Sequence, residues 1–374
     1  MKKNIAVIII FIFVLVFPMV AWPALQSFDS KVAVNENRQK APFPKFDNNV
    51  IVNFDKFFTD RLPIRNSLIK VYSSLEMAFN NLYSKILELL NVPYYSSKNY
   101  VLFGKEDWLF FLGDNSLDYY QGSNVLSEEV MAGFVQKAEK VNNYFASMGK
   151  EFKIFIAPNK EQIYYEFMPN GIAIKNTSKR VDVLVDYFKK HSNVEIIYPK
   201  QALLNAKPDM QLYYKYDTHW NFGGGYIGTV ELLKALNIEV GTAEITSNVQ
   251  VTRADLIAMI AGQNKLDTEI SVNYRPEISY NLINAENAYI CNSSNTNGKN
   301  LLLFGDSFRE FMFPTLAKEF TNSIFTTRSS YGANKRYEKE LETADTVIFE
   351  CVERYEQYMF NGELLDRFIE YYNL

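Results

Sequence analysis

The chain has few of the residues that build metal centres or disulfide frameworks. Among 374 residues there are two cysteines, Cys291 and Cys351, and two histidines, His191 and His219. Two cysteines exclude a disulfide-stapled scaffold and leave either one disulfide or two free thiols. No histidine or cysteine cluster offers the three or four ligands of a zinc site, so no metal is expected. Cationic excess is also missing. Lys plus Arg number 39 against 43 Asp plus Glu, a formal net charge of −4, and no basic face marks a nucleic-acid partner. No internal repeat or low-complexity tract interrupts the chain, which excludes a solenoid. Present instead are 29 Phe and 25 Tyr within a 48% hydrophobic composition. That composition supplies one large core, or two smaller ones.

Lys2 and Lys3 precede an uncharged stretch whose apolar part is Ile5–Val20. Basic-then-apolar is the pattern of a secretory signal or an uncleaved anchor. Ala21-Trp22-Pro23-Ala24 makes a poor cleavage site, which favours an anchor over 1–26 with the lysines left in the cytoplasm. The rest of the chain is then extracytoplasmic. Residues 27–53 are polar with prolines at 42 and 44 and read as a linker. Residues 54–99 carry Leu68, Val71, Tyr72, Leu75, Phe79, Leu82, Ile86 and Leu89 at spacings of three and four, an amphipathic helix with a packing or membrane-proximal role.

From residue 100 to 374 the pattern changes to alternating strands and helices. VLFGKEDWLFF (101–111) reads as two short strands around a turn, and 127–148 as a helix capped by Ser127. Continuous apolar runs at 152–158, 194–198, 301–304, 323–327 and 346–353 read as buried strands, with helices at 178–190 and after Pro199. QLYYKY (211–216) reads as another strand, closed by Asp217-Thr218-His219-Trp220, with Asn221 capping the next helix. Residues 241–298, rich in Asn, Thr and Ser, read as an irregular insertion. The fold class is α/β, with a mainly parallel sheet flanked by helices.

The chemistry concentrates at two of these strand ends. LLLFGDSF (301–308) is an apolar strand stopped by Gly305-Asp306-Ser307, a turn able to lift Ser307 out of the rim where α/β sheets carry reactive groups. A serine hydroxyl needs a base, and a neutral imidazole serves near pH 7. His191, at the polar end of a helix after two lysines, reads as a solvent-exposed residue. His219 stands two residues after Asp217, which can orient it. Serine, histidine and aspartate on one rim make the triad of acyl transfer. Oxyanion donors are expected from the backbone N–H groups of Ser307 and Phe308 and from Arg328 after the 323–327 strand. Lys160 and Glu353, also near strand ends, read as structural.

The chain resembles the SGNH-hydrolase-like O-acetyltransferases of exopolysaccharide assembly, the AlgJ/AlgX group. TDRLPIRNSLI (59–69), GKEDWLFF (104–111), FIAPNKEQIYYEFMP (155–169), YDTHWNFGGGYIG (216–228) and LLLFGDSF carry the resemblance. It implies that Asp217, His219 and Ser307 are catalytic. It also implies a circularly permuted SGNH-like domain, because ordinary SGNH hydrolases place the serine block first and Asp-x-x-His last. Reading this chain cyclically from 301 restores that order, with a spacer one residue shorter. Further implications are a polysaccharide acceptor, a multi-spanning membrane acyltransferase as acetyl donor, and no bound cofactor. A carbohydrate esterase using the same triad, or a polymer-binding component without activity, are the alternatives.

Overall fold

The structure is a computed structural model that describes residues 27, 29, 40–44, 50–62, 64–96, 100–251, 254–260, 265–275, 280–285, 288–295, 298–327 and 337–374. The expected anchor over 1–26 and Arg328 lie outside the described residues. Among those described, no helix is long and apolar enough to cross a membrane.

Two helices, α1 (Val50–Thr59) and α2 (Arg65–Leu89), come first. Asp29 caps α2, its carboxylate accepting from the backbone N–H groups of Asn66 and Ser67 at 2.8 and 2.7 Å. The periodic apolar residues do lie on a helix, yet Leu68, Val71, Leu75, Phe79, Leu82 and Leu89 are all exposed. A three-stranded antiparallel sheet follows: β1 (Tyr94–Ser96), β2 (Val101–Phe103) and β3 (Leu109–Phe111). The strands β2 and β3 are the pair expected around Gly104-Lys105-Glu106-Asp107.

The α/β layers begin with α3 (Ser116–Gln121), α4 (Glu128–Ser147) and β4 (Glu151–Ala157). Ser127 caps α4 by accepting from the Val130 N–H, as expected for a serine at that position. Next come α5 (Arg180–His191), β5 (Ile196–Ile197), α6 (Lys200–Ala206), α7 (Phe222–Ala235), β6 (Thr242–Val251), α8 (Asp255–Met259) and β7 (Leu266–Arg275). The chain ends with β8 (Tyr280–Ala285), β9 (Ala288–Ser293), β10 (Asn300–Gly305), α9 (Phe313–Glu319), β11 (Asn322–Thr327), β12 (Thr346–Val352) and α10 (Leu365–Tyr372).

Seven strands form the main sheet in the order β5-β4-β12-β10-β11-β9-β8. The first five are mutually parallel. The last two join antiparallel, so the sheet is mixed rather than simply parallel. The strands β4, β10 and β12 read as near-continuous apolar runs because helices cover both faces. Along β10 the side chains alternate. Leu301 and Leu303 enter the core shared with Leu232 and Leu233 of α7 and Leu316 of α9. Leu302 and Phe304 enter the opposite core, with Phe134 of α4, Leu184 of α5 and Phe368 of α10. Each such fully buried side chain contributes about 1.5–3 kcal/mol by transfer from water, which pins the register of β10 and therefore the position of Ser307 just beyond it.

Two expectations are corrected. Gln211–Tyr216 is not a sheet strand. Leu212, Tyr213 and Tyr214 are buried, which explains their apolar pattern. The chain instead folds back on itself, with an isolated bridge between Tyr213 and Trp220 and the Asn221 N–H donating to the Leu212 carbonyl at 2.9 Å. The described parts of 241–298 are not irregular either. They hold four strands: β6 and β7 pair as a separate two-stranded ribbon, and β8 and β9 extend the main sheet. Cys291 and Cys351 are both buried and are not joined in a disulfide.

Candidate active site

The turn after β10 is built by Gly305 and Asp306. A Cβ on Gly305 would sit 2.1 Å from a Glu350 carboxylate oxygen, the same oxygen that accepts the Asp306 N–H at 2.9 Å. Asp306 then ties the turn together. Its carboxylate accepts from the Phe308 N–H at 2.9 Å and from the Val352 N–H at 2.7 Å. Asp306 is therefore a brace, and Ser307 starts the helical turn 307–311 that follows. The bond to Asp306 also corrects one expectation. The Phe308 amide is already engaged and does not point at a reacting carbonyl.

Asp217-Thr218-His219-Trp220 approaches from the fold-back at 211–221. Lys160 holds this loop: its buried ammonium donates to the carbonyls of Tyr214, Lys215 and Asp217 at 3.1, 3.3 and 2.8 Å. Burial lowers the Lys160 pKa to about 8, against the opposing pull of the Asp255 and Asp217 charges. Lys160 also lies 5.2 Å from the ring centroid of Phe110, and the Leu109 N–H donates to the Lys215 carbonyl at 3.1 Å. The 104–111 block thus packs against the loop. From the other side, the Trp220 indole N–H donates to the Phe308 carbonyl at 3.0 Å, joining the histidine loop to the serine turn. Asn221 caps α7 by accepting from the Gly224 N–H. A Cβ on Gly225 would lie 2.3 Å from the Phe311 carbonyl oxygen. Glycine there lets α7 approach the serine turn.

The result is a continuous relay. Ser307 Oγ and His219 Nε2 are 2.6 Å apart, and His219 Nδ1 is 2.6 Å from Asp217 Oδ1. Asp217 Oδ1 also accepts the His219 N–H at 3.0 Å, and Oδ2 accepts the Asp255 N–H at 3.0 Å. Burial pushes the Asp217 carboxyl up. The hydrogen bond and charge of His219, with these backbone donors, overcome burial and bring it to about 2. A carboxylate held ionised against a ring nitrogen fixes the tautomer that leaves Nε2 free to accept a proton.

The sequence reading missed Asp255, at the start of α8. Its carboxylate accepts from the Thr218 N–H at 2.7 Å and the Thr218 hydroxyl at 2.6 Å, and stands 3.8 Å from His219 Nδ1. Burial, then the neighbouring Asp217 charge, raises its pKa. Nothing in the local sequence flags it, because it lies in the stretch read as an insertion. Asp217, His219 and Asp255 place potential metal-ligand atoms within 4.8 Å of one another, a set that suits a hard divalent cation. Their oxygens and Nδ1 are engaged in the relay and in the Thr218 bonds, which makes this an orienting network. Of the expected oxyanion groups, Arg328 lies outside the described residues and the Ser307 amide remains. His191 sits at the end of α5, its ring tilted against that of Tyr187 with centroids 4.3 Å apart.

Residues 101–267 match the model of a protein family described as the SGNH hydrolase-like domain of the acetyltransferase AlgX. The match contains Asp217, His219, Asp255 and Lys160 and ends before Ser307. That region is therefore similar to the AlgX acetyltransferase domain, in line with the resemblance that the sequence motifs carry. None of the curated proteins compared with the chain matches it. Among solved structures, a DHHW family protein from Eubacterium siraeum DSM 15702 shares the fold. Its TM-score is 0.53 at 13% identity, over 74% of this chain and 97% of that one. The O-acetyltransferase domain of Pseudomonas putida AlgJ is similar at TM-score 0.45 and 14% identity, over 68% and 91% of the two chains. Bacillus cereus PatB1 with a sulfonyl adduct is similar at 0.46 and 14%, over 67% and 93%.

Proposed function

We propose that the chain is an extracytoplasmic O-acetyltransferase that carries an acetyl group on Ser307 and delivers it to hydroxyls of a polysaccharide. The observation that carries this reading is the relay from Ser307 through His219 to Asp217, with hydrogen-bond spacing at each step. The likeness of residues 101–267 to the AlgX acetyltransferase domain supports the acetyl chemistry. The strand order supports the permuted SGNH reading. Taken cyclically from β10, the parallel strands β10, β11, β12, β4, β5 stand in the order 2-1-3-4-5, a doubly wound order whose reactive crevice lies beside the first strand.

In the first half-reaction His219 Nε2 takes the Ser307 proton as Oγ bonds to the donor's acetyl carbon. The donor's leaving oxygen departs with that proton. In the second, a sugar hydroxyl gives its proton to Nε2 and attacks the acetyl carbon. The Oγ–C bond then breaks and Ser307 is reprotonated. Asp217 stabilises the imidazolium in both, and the Ser307 amide faces the developing oxyanion. A membrane acyltransferase is the proposed donor. An N-terminal anchor over 1–26 would hold the domain at that membrane.

The test is incubation of the full chain in detergent with an acetyl ester and oligosaccharide acceptors. Acetylated oligosaccharide formed at the expense of free acetate is expected. Acetate released at a rate indifferent to acceptor would make the chain an esterase instead.

A further inference from the structure

A polar cavity opens beyond the C-terminal end of β12. Its volume is about 400 Å³, and its lining includes Asp114, Asp118, Asn124, Arg180, Arg354 and Tyr358. That volume is within the range of small-ligand sites, ~300–1,000 Å³. The relay does not use any of these residues, yet the cavity adjoins it. The Arg354 guanidinium lies 5.5 Å from the Phe308 ring centroid. The Phe308 ring in turn lies 5.0 Å from the His219 ring.

Arg354 is only 8% exposed. One of its terminal nitrogens donates to Asn159 Oδ1 at 3.3 Å, but its Nε has no partner, and neither does the buried Asn124 Oδ1. An unpaired buried donor and acceptor each cost about 1–3 kcal/mol, and both belong to side chains that line the cavity. The charges on the wall decide which ligand. The wall carries two arginines and two aspartates, and Arg180 is already bonded to the buried Glu356 at 2.8 Å. The lining has no surplus positive charge with which to hold an anion. It has instead planar donors and acceptors (guanidinium, amide and carboxylate) suited to pairs of neighbouring hydroxyls, and Tyr358, 43% exposed, offers a ring.

We propose that this cavity is a subsite for a neutral pyranose unit of the acceptor glycan, next to the unit presented to Ser307. The proposal rests on the reading that the chain acts on a glycan, and it narrows the glycan to one with uncharged sugars at this subsite.

The test is direct binding, with no turnover. The full chain carrying Ser307→Ala is titrated calorimetrically with a neutral β-1,4-glucan hexamer and, separately, with a hexameric uronate. The neutral hexamer is expected to bind at least tenfold more tightly. Adding Tyr358→Ala, at an exposed position, Asp118→Asn, at a half-buried one, or the buried Arg354→Gln, is expected to weaken that binding five- to tenfold or more. A preference for the uronate overturns the proposal. So does binding unchanged by the Tyr358 and Asp118 variants, or binding of neither hexamer. Each of those results leaves acetyl transfer by Ser307 standing. Cavity-dependent binding together with a chain that never acetylates Ser307 would instead remove the transferase reading and leave the subsite.

Discussion

Asp255 stands 3.8 Å from His219 Nδ1 and so adds a second carboxylate to the one that orients the base. At an effective dielectric of ~20, a unit charge at that distance stabilises an imidazolium by about 4 kcal/mol. Its side chain is 25% exposed and also holds Thr218, so solvent and the raised pKa of Asp255 leave roughly 1–1.5 kcal/mol, about one pKa unit. Asp255→Asn retains the shape and a carbonyl oxygen for the Thr218 N–H, and removes the charge. A base that loses a stabilising anion holds its proton less tightly. The acid limb of the pH profile of kcat/KM is therefore expected to move down by about one unit, with the plateau falling about tenfold. Asp217→Asn is expected to do something different. The ring then loses its tautomer as well as the nearer anion, so the rate falls by roughly 10³–10⁴ in addition to a shift at least as large. The assay is acetyl transfer from a chromogenic acetyl ester, followed from pH 5 to 9. An Asp255→Asn acid limb that overlays the parent's would refute the electrostatic role. Asp255 would then serve only to hold Thr218.

Two further predictions concern the scaffold. Gly225→Ala places a Cβ 2.3 Å from the Phe311 carbonyl. It is expected to cost about 2–3 kcal/mol and to lower both Tm and activity, and an unchanged Tm would mean that α7 does not press on the serine turn. Burial raises the Glu353 pKa to about 8, far above its unfolded value of ~4.3. The proton bound in the folded state thus stabilises fully below that value, and this contribution is lost as pH rises through 8. Glu353→Gln keeps a neutral side chain throughout. Relative to the parent, its stability is expected to rise by on the order of 2–4 kcal/mol between pH 4 and 8, read from denaturant midpoints. Parallel stability curves for the two chains would count against a neutral Glu353.

The parts of the fold legible in the sequence are those with one strong physical signature. The strands β4, β10 and β12 are buried on both faces and therefore appear as unbroken apolar runs. Ser307, His219 and Asp217 are legible because their chemistry has few substitutes and the chain holds only two histidines. What escaped lies where one signature has two causes. The residues of Leu212–Tyr214 are apolar because the core buries them, but the carbonyls of Tyr214, Lys215 and Asp217 go to Lys160 rather than to a neighbouring strand. Among the described residues the ribbon of β6 and β7 pairs only with itself, so polar residues are tolerated along both strands and no clean alternation reveals it. Asp255 was hidden by that same stretch. The Phe308 amide was misassigned because an aspartate before the serine can either orient chemistry or cap the turn, and here Asp306 caps it.

The central claim is that acyl transfer runs through Ser307. The most direct measurement is the intact mass of the full chain, acid-quenched after mixing with an acetyl ester without acceptor, followed by peptide mapping. The account predicts one acetyl group on Ser307. That group should discharge when an oligosaccharide acceptor is added and should be missing in Ser307→Ala. Acetylated oligosaccharide produced at the parent rate by Ser307→Ala would contradict it.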